Sequence, residues 1–299
     1  MASLPKRIPR RRQPSPDDAS RQITNLKQEI EWIRSLLPHQ DPIAGYLARR
    51  GLLCKRLNPT EHLLLPKAPD RTGQDRFYDC LKKYSFRLFL RDVIKNKTRF
   101  GLKDLLRYCS AETAASYLEV LQEYQVITDL GNQTFQLALD EVYSFGDTLE
   151  WFVAQVLARE FYTPSSWGLS LQGTAHGGDY DVLALAENKT IYVEVKSSPP
   201  KQVESGEISA FLDRIGDLDP DLGIFLEDTQ LRMEDKILPM FADVLSTKPH
   251  LTAGTPEPVR LPGGDVFQWG DRLFIMNAEP DLVGNMGLCL QHFFGPKVR

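Results

Sequence analysis

Apolar residues first recur at helical spacing. Ile23, Leu26, Ile30, Ile33 and Leu37 fall three or four positions apart and draw one stripe along a helix over 20–37, which Pro38 closes. That stripe has two readings, a short coiled-coil seam that dimerises the chain or a face packed within it, and fewer than three heptads favour the second. A helix over 42–50 follows, then the proline-interrupted "LNPTEHLLLPKAPDRTGQ". Amphipathic spacing returns in "RFYDCLKKYSFRLFLRDVIKN" at 76–96, in the short "GLKDLLRYC", and in "SAETAASYLEVLQEYQV", where Ser110 is placed as an N-cap. "VITDLGNQTFQLAL" reads as two strands about a Gly131-Asn132 turn.

From Glu141 helical and strand periods alternate. A helix over 148–161 precedes strands near 167–171, 180–186 and 190–196, a helix about 204–215, a strand at 222–228 and a helix at 232–245. After a Pro/Gly-rich loop at 249–264 come a hairpin about "WGD", the apolar strand "RLFIM" and a segment ending "LCLQHFF". Helices alternating with strands around an apolar sheet predict an α/β fold, here preceded by a mainly α region. The expected organisation is a disordered basic arm at 1–19, a helical and linker segment at 20–75, a helix-and-hairpin domain at 76–140 and an α/β domain at 141–299.

Composition is that of an ordinary soluble globular protein, 42% hydrophobic and 25% charged, and 299 residues leave room for two cores. No apolar run approaches the roughly 18–20 residues of a spanning helix, so no membrane partner is expected. The first residues lack the apolar run of a secretory signal, which leads to a cytoplasmic expectation, or a nuclear one in a eukaryote. Cys54, Cys80, Cys109 and Cys289 are scattered without a Cys-x-x-Cys pair and read as reduced thiols, not a zinc site.

Charge changes the picture more. Residues 1–140 hold 24 Lys and Arg against 16 Asp and Glu, whereas residues 141–299 hold 12 against 24. A basic half suits a polyanion and clustered carboxylates suit a hard divalent cation; both sets can also be plain solvated surface.

The candidate chemistry lies in "GGDYDVLALAENKTIYVEVKSS", Gly177 to Ser198. The chain holds three Glu-x-Lys pairs, but only that of "IYVEVK" sits on a convincing strand. There i and i+2 share a face, so Tyr192, Glu194 and Lys196 point one way and Val193 and Val195 the other. Glu187 and Lys189 fall in a turn, and Glu234 and Lys236 are expected on a helix. With the two strands antiparallel, Asp181 comes to the same end as Glu194. Two converging carboxylates repel, and a divalent cation between them removes that cost.

These residues, with the preceding helix "GDTLEWFVAQVLAREF", resemble the PD-(D/E)XK, restriction-endonuclease-like, nuclease superfamily. The resemblance covers about 100 residues and implies a core of helix, three-stranded antiparallel meander, helix and strand. It further implies that Asp181 and Glu194 bind Mg²⁺ or Mn²⁺ with the Val195 carbonyl, that Lys196 is the catalytic lysine and that Glu150 stands near the metal. Tyr180 replaces the namesake proline, no Gln-x-x-x-Tyr pattern follows Lys196, and Asp179 rivals Asp181 for the metal. His176 is left outside the active set, and Trp151 and Phe152 read as core.

The 76–140 region resembles a winged helix, an architecture often used on DNA. Its third helix carries Glu112, Glu119 and Glu123, and no Lys or Arg occurs between Arg107 and Arg159, so that helix is expected to face protein. The nucleic-acid contact is expected instead from Lys82, Lys83, Arg87, Arg91, Lys95, Lys97 and Arg99. The resulting expectation is a metal-dependent nuclease, acting on DNA and as an endonuclease, with a homodimer or a partner protein possible. Its alternative is a non-catalytic adaptor that keeps the nuclease scaffold to bind DNA or protein.

Overall fold

A computed structural model describes residues 41–66, 71–252 and 257–296, together with residues 21, 24–26, 28 and 29. Those last positions are helical, as the 20–37 stripe predicts. The rest of that stripe and the 1–19 arm lie outside the described residues.

Residues 42–299 form one compact unit. It opens with α1 (Pro42–Arg49) and a short strand β1 (Leu53–Arg56) that the sequence pattern does not reveal. The single helix expected at 76–96 is two, α2 (Arg71–Lys82) and α3 (Tyr84–Lys95), because Lys83 between them is extended, with φ −79° and ψ 120°. Arg87 holds this break in place. Its Nη1 donates to the carbonyls of Leu81 (2.7 Å) and Lys82 (3.1 Å), which the interrupted helix no longer uses.

The helix expected at 101–109 shrinks to a 3₁₀ turn at Leu102–Leu105, preceded by β2 (Phe100–Gly101). Next comes α4 (Ala111–Glu123), where Ser110 Oγ accepts the Thr113 N–H at 3.2 Å as its N-cap. The hairpin β3 (Ile127–Gly131) and β4 (Thr134–Leu137) completes a three-stranded sheet in the order β2-β4-β3.

The remainder runs α5 (Gly146–Glu160), β5 (Ser165–Gln172), β6 (Asp179–Ala186), β7 (Lys189–Lys196), α6 (Ser205–Leu218) and β8 (Leu222–Glu227). Then follow α7 (Ile237–Ser246), β9 (Val259–Arg260), β10 (Val266–Trp269), β11 (Leu273–Met276) and α8 (Leu282–Phe294). Glu234 and Lys236 precede α7 and are not the helical surface pair that the pattern predicts. Among the described residues an eight-stranded sheet has the order β1-β5-β6-β7-β8-β11-β10-β9. β7, β8 and β11 are parallel neighbours and the other pairs antiparallel, so the fold is α/β with a mixed sheet flanked by helices. Glu187 and Asn188, both at positive φ (50° and 63°), make the tight β6–β7 turn.

One face of the sheet, through Val182, Val193 and Ile224, is covered by Leu149, Phe152 and Val156 of α5. The same apolar cluster continues without a gap into Phe77, Phe86, Phe89, Tyr117 and Leu121. Each such residue, fully buried, contributes about 1.5–3 kcal/mol. The boundary expected near residue 140 therefore separates two topologies that share one core. The other face, through Leu183, Tyr192 and Phe225, is covered by Ile208, Phe211 and Ile215 of α6 and Phe241 of α7. No described helix is long and apolar enough to cross a membrane.

Candidate active site

The site begins with a break in strand alternation. In β5, Trp167 packs toward the α5 side while Leu169 packs toward the α6 side, and in β6 Val182 and Tyr180 divide in the same way. Regular strands keep i and i+2 on one face, so both strands switch faces between these positions. Gly168 and Asp181 occupy the switch, between the partner pairs Trp167↔Val182 and Leu169↔Tyr180. Gly168 has φ +58°, and a Cβ there would stand 2.6 Å from Pro59, so only glycine fits. The same Cβ would lie 3.7 Å from Glu150 Oε2, which puts the Glu150 carboxylate over the switch.

The β6–β7 ladder ends at the same level. Its last pair is Val182↔Val193, and beyond it Asp181 Oδ2 takes the Val195 N–H at 2.7 Å. Val195, expected to offer its carbonyl to a metal, thus orients Asp181 through its N–H. Asp181 Oδ1 has no hydrogen-bond partner among the described residues.

Glu194 is 1% exposed and saturated. Its Oε1 accepts from Lys196 Nζ (2.7 Å) and Arg214 Nη1 (3.0 Å), and its Oε2 from Arg214 Nη1 (2.9 Å) and the Tyr192 hydroxyl. Lys196 also faces Glu207 Oε1 at 3.5 Å, while Glu207 Oε2 caps α6 by accepting the Glu204 N–H at 3.0 Å. Glu207 and Arg214 are seven residues apart, two helical turns, and so reach the strand from one face of α6.

Electrostatics follow from this crowding. Burial, and then the charge of Asp181, pushes the Glu150 carboxyl up to about 9. Burial, and then Glu194, pushes Asp181 up to about 7, against the pull of the Val195 N–H, Lys196 and Arg214. Burial alone would lower Lys196, but Glu194 leaves it above the ordinary lysine value.

The structure thus brings Glu150, Asp181, Glu194 and Lys196 into one neighbourhood. Among the described residues no three His, Cys, Asp or Glu side chains converge tightly enough to hold a metal alone. A hard cation such as Mg²⁺ asks for less, one or two carboxylates completed by water and a phosphate. Asp181 Oδ1 and the Glu150 carboxylate, neither hydrogen-bonded among the described residues, fit that demand. Glu194 fits less directly, because two cations already hold it. The rival Asp179 is exposed and ion-paired with Arg56 at 2.8 Å, and Arg56 Nε donates to the Gly168 carbonyl at 3.2 Å. His176 binds Asp217 through Nδ1 at 3.0 Å. Trp151 and Phe152 are core.

The expected basic face does not survive as a unit. Arg87 is fully buried and grips Asp228 with Nε (2.9 Å) and Nη2 (2.7 Å), and Arg91 Nη2 reaches the same carboxylate at 2.5 Å. Arg87 therefore cannot meet a nucleic acid. Lys82 pairs with Glu160 (2.6 Å) and Asp79 (3.2 Å), and Lys97 lies 4.2 Å above the Tyr143 ring. Lys83, Lys95 and Arg99 remain exposed. Arg214 and Glu207 are the site residues that sequence reasoning missed. Their signal was present as charged positions beside the Ile208, Phe211 and Ile215 stripe, yet nothing local tied that helix to Glu194.

No family model matches the chain, and no curated protein matches it. Solved structures similar to it include protein VC1899 from Vibrio cholerae, at 16% identity and a TM-score of 0.42, covering 66% of this chain and 55% of that one. Another is Can2 from Sulfobacillus thermosulfidooxidans in complex with cyclic tetra-adenylate, at 17% identity and a TM-score of 0.40, covering 65% and 54%. The chain thus spans about half the length of either structure.

Proposed function

We propose that this chain is a metal-dependent nuclease of the PD-(D/E)XK type that hydrolyses phosphodiester bonds in DNA as an endonuclease. The observation that carries the reading is the meeting of Glu150, Asp181 and Glu194 at a strand switch, with Lys196 alongside. Burial and mutual repulsion hold the Asp181 and Glu150 carboxyls up, while Lys196 and Arg214 are committed to Glu194 and Arg56 to Asp179. Mg²⁺ or Mn²⁺, held by Asp181 and Glu150 with Glu194 behind, would supply an acidified water and neutralise charge on the phosphate. Lys196, kept as an ammonium between Glu194 and Glu207, is placed to stabilise phosphate charge or orient the attacking water. Arg214 and the Tyr192 hydroxyl fix Glu194, and Glu194 in turn aims Lys196. The Val195 N–H fixes Asp181.

One observation favours the adaptor instead. Both Glu194 oxygens are taken, as they would be in a scaffold whose site is locked by ion pairs. The deciding experiment is cleavage of labelled duplex, single-stranded and branched DNA and of RNA with Mg²⁺ or Mn²⁺, alongside Lys196→Ala. Cutting that needs metal and falls about 10²–10⁴-fold in the variant is the expected result. No cutting on any substrate, together with no calorimetric metal binding, would leave the adaptor.

A further inference from the structure

Past the end of β7 runs a groove of about 680 Å³ whose lining includes Tyr84 and Arg91 of α3, Arg107, Tyr108, Ser197 and Lys201. Ser197 directly follows Lys196, so the lining of the groove begins one residue beyond β7 in the chain. The opposite wall is α3 and the segment after the 3₁₀ turn. The groove thus joins the two topologies that share the core.

Its charge is opposite to that of the chain. Arg91, Arg107 and Lys201 stand there with Asp92 and Asp228, and Asp228 is already neutralised by the buried Arg87. The chain as a whole carries −4. Arg107 and Lys201 are exposed and form no ion pair among the described residues. Arg107 lies 5.0 Å from the centre of the Tyr108 ring, and Tyr108 is 40% exposed. Arg91 keeps a buried Nε–H with no acceptor.

Building on the nuclease reading, we propose that this groove binds a single nucleic-acid strand and leads it to Lys196. Arg107 and Lys201 take the phosphates, and the Tyr108 ring, backed by Arg107, stacks on a base. Its volume is that of a pocket for one drug-sized ligand. A base inside a duplex also has no free face to give to Tyr108.

The test is fluorescence anisotropy in EDTA, with a labelled single-stranded oligonucleotide and its duplex, on the full chain. Arg107→Glu and Lys201→Glu are each expected to weaken single-strand binding about tenfold or more and to flatten its salt dependence. Tyr108→Ala is expected to cost about tenfold on the single strand while leaving duplex binding unchanged. All three side chains are exposed, and an unaltered melting temperature would establish that each variant folds. Unchanged single-strand binding in all three, or equal loss on duplex and single strand in Tyr108→Ala, would overturn the proposal. The same proteins with Mg²⁺ separate the two readings. Strand binding lost in the variants while the wild type cuts nothing retains the groove and removes the nuclease. Wild-type cleavage that Arg107→Glu and Lys201→Glu leave unchanged does the reverse.

Discussion

Two places in this protein use the same parts, one buried carboxylate gripped by two cations, and differ in what surrounds them. At the junction of α3 and β8, Asp228 lies between Arg87 and Arg91. At the end of β7, Glu194 lies between Lys196 and Arg214. The first set has as many cations as its carboxylate can use, with Arg87 and Asp228 at 1% and 0% side-chain exposure and Arg91 reaching solvent at 21%. In the second, the cations are 18–19% exposed and two more carboxylates, Asp181 and Glu150, press against the pair. A clamp anchored by a fully buried arginine fastens elements. One crowded by two further carboxyls has ligand oxygens left over for a cation that arrives.

Breaking each clamp should separate these roles. Asp228→Ala strands Arg87 in the interior and is expected to cost about 3–5 kcal/mol in denaturant unfolding. Glu194→Ala frees cations that reach solvent and have Asp181 and Glu207 as substitutes, so the main loss is the buried Tyr192 hydroxyl left without its acceptor, and about 1–3 kcal/mol is expected. Equal losses would erase the distinction.

Glu227 lies between the two clamps, adjacent to Asp228 in the chain and in register with Lys196 across β7 and β8. It belongs to neither, for both of its carboxylate oxygens are buried without a partner. Burial, and then Glu207, pushes it from 4.5 up to about 8, against Lys196, Lys236 and Arg91. Between those values the folded chain keeps a proton that the unfolded chain has lost, so stability falls as pH rises through that window. Glu227→Gln, neutral throughout, is expected to exceed the wild type by about 4 kcal/mol at pH 8, and the gap should close toward pH 4.5. A gap independent of pH would mean that Glu227 is ionised and paired.

Much of this was legible in the residue pattern. The period-2 runs gave the meander, and Glu194 and Lys196 were read on one strand face because that face follows from parity alone. Asp181 was found by register, but its mode of approach was not. The face switch depends on Gly168 opposite it, and one glycine in "SSWGLSL" does not announce a kink. The clamps were not legible either. Asp228 lies 141 residues from Arg87, and a stripe of basic residues on an amphipathic helix looks the same whether it meets phosphate or a buried aspartate. The adjacent positions Arg87 and Phe86 are both buried, which shows α3 enclosed on more than its apolar stripe, and only tertiary packing decides that.

The smallest change asks whether the second clamp really holds surplus charge. Asp181→Asn keeps an oxygen to accept the Val195 N–H and removes the negative charge that Asp181 carries beside Glu194 above about pH 7. In EDTA, relief of repulsion is expected to raise unfolding stability by about 1 kcal/mol, an unusual sign for a substitution at a partly buried polar site. With Mg²⁺ the order should invert. A ligand that binds only the folded state raises the melting temperature, and the wild type should gain while the variant does not. A variant less stable than the wild type in EDTA, and equally raised by Mg²⁺, would mean that Lys196 and Arg214 already balance the carboxylates. The site would then be a second structural clamp, with Lys196 and Arg214 in the parts that Arg87 and Arg91 play in the first.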